Sequence, residues 1–228
     1  PVNRYTIIFR NQVTNHFIRA HELLSISSPM ALEAIDKAIS VGANVILSHH
    51  PFIFKGLRAV EDGNGLALKA MKLIKANISL MSFHTRLDCV SGGVNDALAS
   101  ALGLERVETF EGDGSPMGRV GELAEPMPLY SFAARVKEAL GAPFVSFSDA
   151  GREVKRVAVL GGSGKDFLGA AAAMGADTYV SGELGHHTMT DEPDVLPRPN
   201  AEGEPPENGA VRRVVEADVA EFDIARKM

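Results

Sequence analysis

The run Val45-Ile46-Leu47-Ser48-His49-His50-Pro51-Phe52 decides the fold. Its apolar, β-favouring residues end in two consecutive imidazoles, and Pro51 fixes the chain direction straight after them. A second run, Ile78-Ser79-Leu80-Met81-Ser82-Phe83, ends in His84-Thr85-Arg86-Leu87-Asp88. Each segment delivers imidazoles to the carboxyl end of an apolar strand, and the second adds a carboxylate. In open α/β sheets that edge is where ligands bind. Imidazole with carboxylate is a ligand set for zinc, iron or manganese. The chain therefore reads as a metal-binding α/β protein with hydrolytic chemistry.

Outward from this run, Ser28-Pro29 supplies an N-cap and a first-turn proline for a helix carrying Ile35, Ala38 and Ile39 at helical spacing, and Gly42 stops it. A helix over 65–75 precedes the strand at 78–83, and a further helix runs over 94–102. Residues 105–118 read as a loop or short strand, followed by strand 119–123, helix 128–140 and strand 143–148. Strand 154–160 passes through Gly161-Gly162-Ser163-Gly164 into a helix over 165–174, then strand 178–182. The Gly-rich segment fails the phosphate-loop template, because Asp166 stands where a Ser or Thr would hold magnesium, and a tight turn is the better reading. An anion at the helix start is the alternative.

An internal echo suggests a duplication. Val41-Gly42-Ala43-Asn44 before a strand and His49-His50 matches Met174-Gly175-Ala176-Asp177 before a strand and His186-His187. The expected architecture is two related α/β lobes facing a shared metal-binding cleft. That organisation places an N-terminal α/β lobe at 1–104, an intervening α+β segment at 105–150 and a C-terminal α/β half at 151–191. The Pro/Glu-rich tail at 192–228 lacks the apolar content to bury a core and reads as disordered, though 211–222 could recover a strand or short helix.

Composition excludes several classes. A net charge of −6 argues against a general nucleic-acid binder, which needs a basic face. No apolar run approaches the roughly 20 residues of a membrane helix. The lone cysteine, Cys89, cannot form an internal disulfide, which favours a reducing compartment and reads better as a packing residue than as a ligand. Cytoplasm is the default, with mitochondrion and nucleus as alternatives. The chain opens on Pro1 without an initiator Met or a signal pattern and reads as processed or incomplete at that end.

His49, His50 and Asp88 are the candidate metal ligands, against the plainer reading of ordinary loop histidines. His84 either orients a ligand or acts as a general base. His186 and His187 either join the site or cap a strand end locally, and His187 is the second candidate for proton transfer. Glu183 is a candidate carboxylate behind the ligands. His16 and His21 receive no role.

The motifs His49-His50-Pro51-Phe52-Ile53-Phe54-Lys55-Gly56, His84-Thr85-Arg86-Leu87-Asp88 with Gly92-Gly93-Val94-Asn95-Asp96, and Gly182-Glu183-Leu184-Gly185-His186-His187 resemble the NIF-three-like family. Its bacterial members carry the label GTP cyclohydrolase I type 2 homolog. The last motif is similar to the eukaryotic branch, whose members are named as factors interacting with a transcriptional adaptor. The resemblance covers roughly residues 29 to 191 and implies a two-lobed fold, nominally two divalent metals per chain and a toroidal homohexamer. It implies His49, His50 and Asp88 as metal ligands with His84 beside them. The family's late His-x-x-x-Glu ligand motif and its Asp-Asn-x-Gly-Leu opening have no counterpart here, so one ion in place of two is the alternative stoichiometry. Two functions follow: a metal-dependent hydrolase acting on a nucleotide or phosphoester, or a regulatory, protein-binding factor with an incomplete metal site. A metal carrier is a third, weaker reading.

Overall fold

The computed structural model describes residues 5–7, 23–26, 32–61, 63–112, 114–142, 144–148, 153–184 and 213–217. The chain divides into two compact units, Pro1–Leu87 and Asp88–Met228. The mixed α/β class expected from the sequence is what the chain adopts. The expected tail at 192–212 and 218–228 and the segment 185–191 lie outside the described residues.

The first unit holds a four-stranded sheet of β1 (Tyr5–Ile7), β2 (Leu23–Ile26), β3 (Val45–Ser48) and β4 (Ser79–Ser82), in that order. Strands β2, β3 and β4 are parallel, and β1 pairs with β2 in the antiparallel sense. Helix α1 (Leu32–Ser40) leads into β3 and α2 (Gly65–Lys75) into β4. Asn64 caps α2, its Oδ1 accepting from the backbone N–H groups of Leu66 (3.0 Å) and Ala67 (3.2 Å). Ile35 and Ala38 of α1, Ile46 of β3 and Leu73 of α2 form one buried cluster with Ala43 and Ile78. A parallel strand covered by helices reads as a continuous apolar run, which is why 45–48 was legible.

Along the chain follow α3 (Thr85–Cys89), α4 (Val94–Ala101), β5 (Glu105–Gly112), β6 (Ser115–Met127), α5 (Leu129–Leu140), β7 (Val145–Ser148), β8 (Val154–Ser163), α6 (Leu168–Ala173), β9 (Thr178–Glu183) and β10 (Arg213–Ala217). The six strands of the second unit form one mixed sheet in the order β5-β6-β8-β9-β10-β7. Strands β8, β9 and β10 are mutually parallel and the remaining pairings antiparallel. Helix α4 packs on β6 and β8, and Phe110, Val120, Ala158, Leu160, Ala171 and Tyr179 lie in a core cluster of this unit.

Three local readings change. Residues 105–112 and 115–118 lie in the antiparallel strands β5 and β6, so of the two readings, loop or short strand, the strand holds and is longer than expected. β5 is an edge strand whose first five residues are exposed, so it carries no alternating apolar signal. Strand β8 continues through Gly161-Gly162-Ser163, replacing the expected tight turn by a register shift between Leu160 and Ser163. Gly162 takes φ +72° there, and Gly182 of β9 lies against its backbone, so that a Cβ on Gly182 would fall 3.1 Å from the Gly162 carbonyl oxygen. The helix expected over 165–174 is a 3₁₀ turn, Lys165–Phe167, followed by α6.

The echo also has a local cause. Ala43 N–H reaches the Ala38 carbonyl and Ala176 N–H the Ala171 carbonyl, each closing a helix across a left-handed residue. The same closure ends α2 (Ile78 to Leu73), α4 (Leu104 to Ala99) and α5 (Ala142 to Lys137). Among the described residues three of these five stops read Gly-Ala (42–43, 141–142 and 175–176), so the element is a recurrent helix stop and by itself does not mark a duplication.

Candidate metal centre

In the first unit the register Ser48↔Ser82 aligns the carboxyl ends of β3 and β4. Phe83 N–H donates to the Ser48 carbonyl (2.9 Å), the Ser48 and Ser82 hydroxyls lie 2.8 Å apart, and Ser48 Oγ donates to the His50 carbonyl (2.9 Å). These bonds fix the two strand ends side by side, and three imidazoles leave from them. Ring centroids are 5.1 Å apart for His49–His50, 4.9 Å for His49–His84 and 5.2 Å for His50–His84.

His49 Nδ1 lies 3.1 Å from the Phe83 carbonyl oxygen. A carbonyl only accepts, so Nδ1 carries the hydrogen and Nε2 keeps its lone pair, the arrangement by which a backbone carbonyl orients a ligating histidine. Burial, reinforced by the neighbouring His84 and His50, pushes His49 down to about 4. Burial and His84 also lower His50. Both imidazoles are neutral donors at pH 7, and in kind the set suits zinc, iron or manganese. Among the described residues, however, no three His, Cys, Asp or Glu side chains close around one point that a metal could occupy. Full coordination therefore calls for an imidazole rotamer change or a further ligand.

A pH dependence follows. The His49 pKa is depressed in the folded state, so its contribution to stability is present above the ordinary value of 6.5 and lost as pH falls through about 4. Metal-free protein is expected to lose denaturant resistance across that window, and His49→Ala to flatten the loss. Urea midpoints measured from pH 7 to 4 in the presence of chelator check this.

Asp88 belongs to the second unit and is buried there at 7% exposure, on the one-turn helix α3. Its backbone carbonyl accepts from Asn95 Nδ2 at 3.2 Å. Around it lies a buried polar network absent from the sequence reading. Arg119 pairs with Asp96 and donates to the carbonyls of Cys89, Pro116, Met117 and Gly118 at 3.1–3.2 Å. Arg119 holds the Asp96 carboxyl below the usual carboxylate range. No clear signal in the sequence marks it, because the same strand also carries Glu122 and Glu125. Glu183 is exposed at the end of β9, where its carbonyl accepts from Gly164 N–H (3.1 Å). His186 and His187, the second proton-transfer candidate included, lie outside the described residues, as do His16 and His21.

The comparisons with known proteins fit these motifs. Residues 23–195 match the family described as Duf34/NIF3 (NGG1p interacting factor 3). The chain belongs to the Duf34/NIF3 family. A Clostridium perfringens protein named GTP cyclohydrolase 1 type 2 homolog is 35% identical to this Duf34/NIF3 chain over 166 residues. That match takes in 70% of this chain and about 63% of the relative's length. Among solved structures, reduced HcgD from Methanocaldococcus jannaschii superposes with a TM-score of 0.68 at 26% identity, over 90% of this chain and 75% of that one. A Bacillus cereus protein related to NIF3 gives 0.70 at 23% identity over 90% and 79%, a likeness of fold. No helix among the described residues is long and apolar enough to cross a membrane.

Proposed function

We propose that this Duf34/NIF3 chain binds a divalent metal through His49 and His50, and that the metal serves hydrolysis of a nucleotide or phosphoester. The observation that carries the reading is the set of three imidazoles at the ends of adjacent parallel strands, with His49 oriented by the Phe83 carbonyl. The name GTP cyclohydrolase 1 type 2 homolog, borne by its relatives, supports the substrate class. Asp88, four residues along the chain from His84, is the carboxylate assigned to the same ion, and the two-lobed cleft belongs to this reading. A bound divalent ion supplies a Lewis-acid centre that activates water near neutral pH. His84 takes or returns the proton, a role in which His187 is the second candidate. The same reading makes the chain a homohexamer.

The test is turnover of GTP and of a chromogenic phosphodiester by protein loaded with zinc, iron or manganese and by chelated protein. Metal-dependent turnover that His84→Ala removes is the expected result. Tight metal without turnover on either substrate moves the assignment to the second reading, a regulatory factor with a protein partner. That reading is favoured by the absence, among the described residues, of a closed three-ligand group.

A further inference from the structure

We infer that Arg119, Asn95 and Asp96 form a buried clamp that positions Asp88 for the metal, without themselves ligating it. The inference rests on the proposed reading of Asp88 as a metal ligand and adds residues that act through it. Helix α3 is five residues long. Isolated helices below about 12–15 residues are marginal in water, so the place of α3 has to be imposed by its surroundings.

The clamp ties down three successive carbonyls. Asn95 Nδ2 donates to Asp88 O at 3.2 Å. Arg119 Nη2 donates to Cys89 O at 3.2 Å and Val90 O at 3.5 Å. Gly92 N–H donates to Asp96 Oδ2 at 2.6 Å, which closes the turn that follows. The other ends of the same side chains are anchored on the sheet. Arg119 Nη1 donates to the carbonyls of Pro116, Met117 and Gly118 on β6 at 3.1–3.2 Å. Asn95 donates to Met117 O and accepts from Gly161 N–H of β8, both at 2.8 Å.

Burial argues for positioning over simple capping. Asn95 is 0% exposed and Arg119 3% exposed, in a region where an apolar side chain would be cheaper to bury. A satisfied buried network instead specifies one geometry. Only a planar, forked guanidinium meets Asp96, the carbonyls of 89–90 and those of 116–118 at once; a lysine meets the carboxylate as a point charge.

Groups that orient a ligand from behind cost roughly 10–100-fold in metal affinity when removed. The experiment measures zinc affinity by chelator competition for wild type, Arg119→Lys, Asn95→Ala, Asp88→Asn and the two double variants, with cobalt spectra as a second readout. Thermal melts of the metal-free proteins confirm folding, and either clamp variant suffices if the other fails to fold. The expected result is a 10–100-fold loss from each clamp variant in the wild-type background, an altered cobalt spectrum, and no further loss on top of Asp88→Asn. Equal losses in both backgrounds, or none in the wild-type background, overturn the clamp while leaving Asp88 a ligand. Unchanged affinity in Asp88→Asn overturns the reading of Asp88, and the clamp with it.

Discussion

His49→Ala is expected to remove bound metal from the protein. His49 packs against both other imidazoles, 5.1 Å from His50 and 4.9 Å from His84 by ring centroid, and its Nδ1 is oriented by the Phe83 carbonyl. Loss of a ligand costs more than loss of a group behind it, which is itself worth about 10–100-fold. Metal measured by elemental mass spectrometry after purification without chelator should fall below a tenth of the wild-type content. Asp88→Ala should do the same. Metal content equal to wild type in both variants would place the ion elsewhere and remove the hydrolytic reading. His49 is half-buried, and circular dichroism checks that the variant keeps its fold.

Arg119→Met gives the largest expected loss of stability. Breaking a buried ion pair from one side costs about 3–5 kcal/mol, because the partner charge and its acceptors stay behind unsatisfied. Here the orphans are Asp96 and the carbonyls that Arg119 serves, and Asp96 keeps 30% side-chain exposure, which points to the lower end of that range. Arg106 offers the contrast: its pair with Glu122 sits on a side chain 61% exposed. Exposed pairs contribute little, so Arg106→Met should leave the urea midpoint unmoved. Equal midpoints for the two variants would show that burial of Arg119 carries no stability.

Much of the candidate site was legible because its carriers are local. A strand buried on both faces is a short apolar run, and a helix is a 3.6-residue period closed by a left-handed stop, so 45–48, 65–75 and 94–101 could be read with their histidines placed at strand ends. What is bonded to those histidines could not. The Phe83 carbonyl reaches His49 across 34 positions, and nothing in either stretch names the other.

The sequence by itself determined the family, the α/β class and the residue types offered as ligands, because each rests on neighbouring residues or on motifs read within a few positions. Tertiary structure alone decided the rest. Edge strand β5 has no buried face to give it a period, so its pairing with β6 is visible only in the sheet. Strand β10 lies between β9 and β7, and its antiparallel partner Val145–Ser148 is remote in sequence. Arg119 reads as an ordinary surface charge until Asp96, 23 positions away, and the carbonyls of 89 and 116–118 close around it. A buried charge survives only when all its partners arrive together, and that condition is met by the folded chain, not by any window of residues.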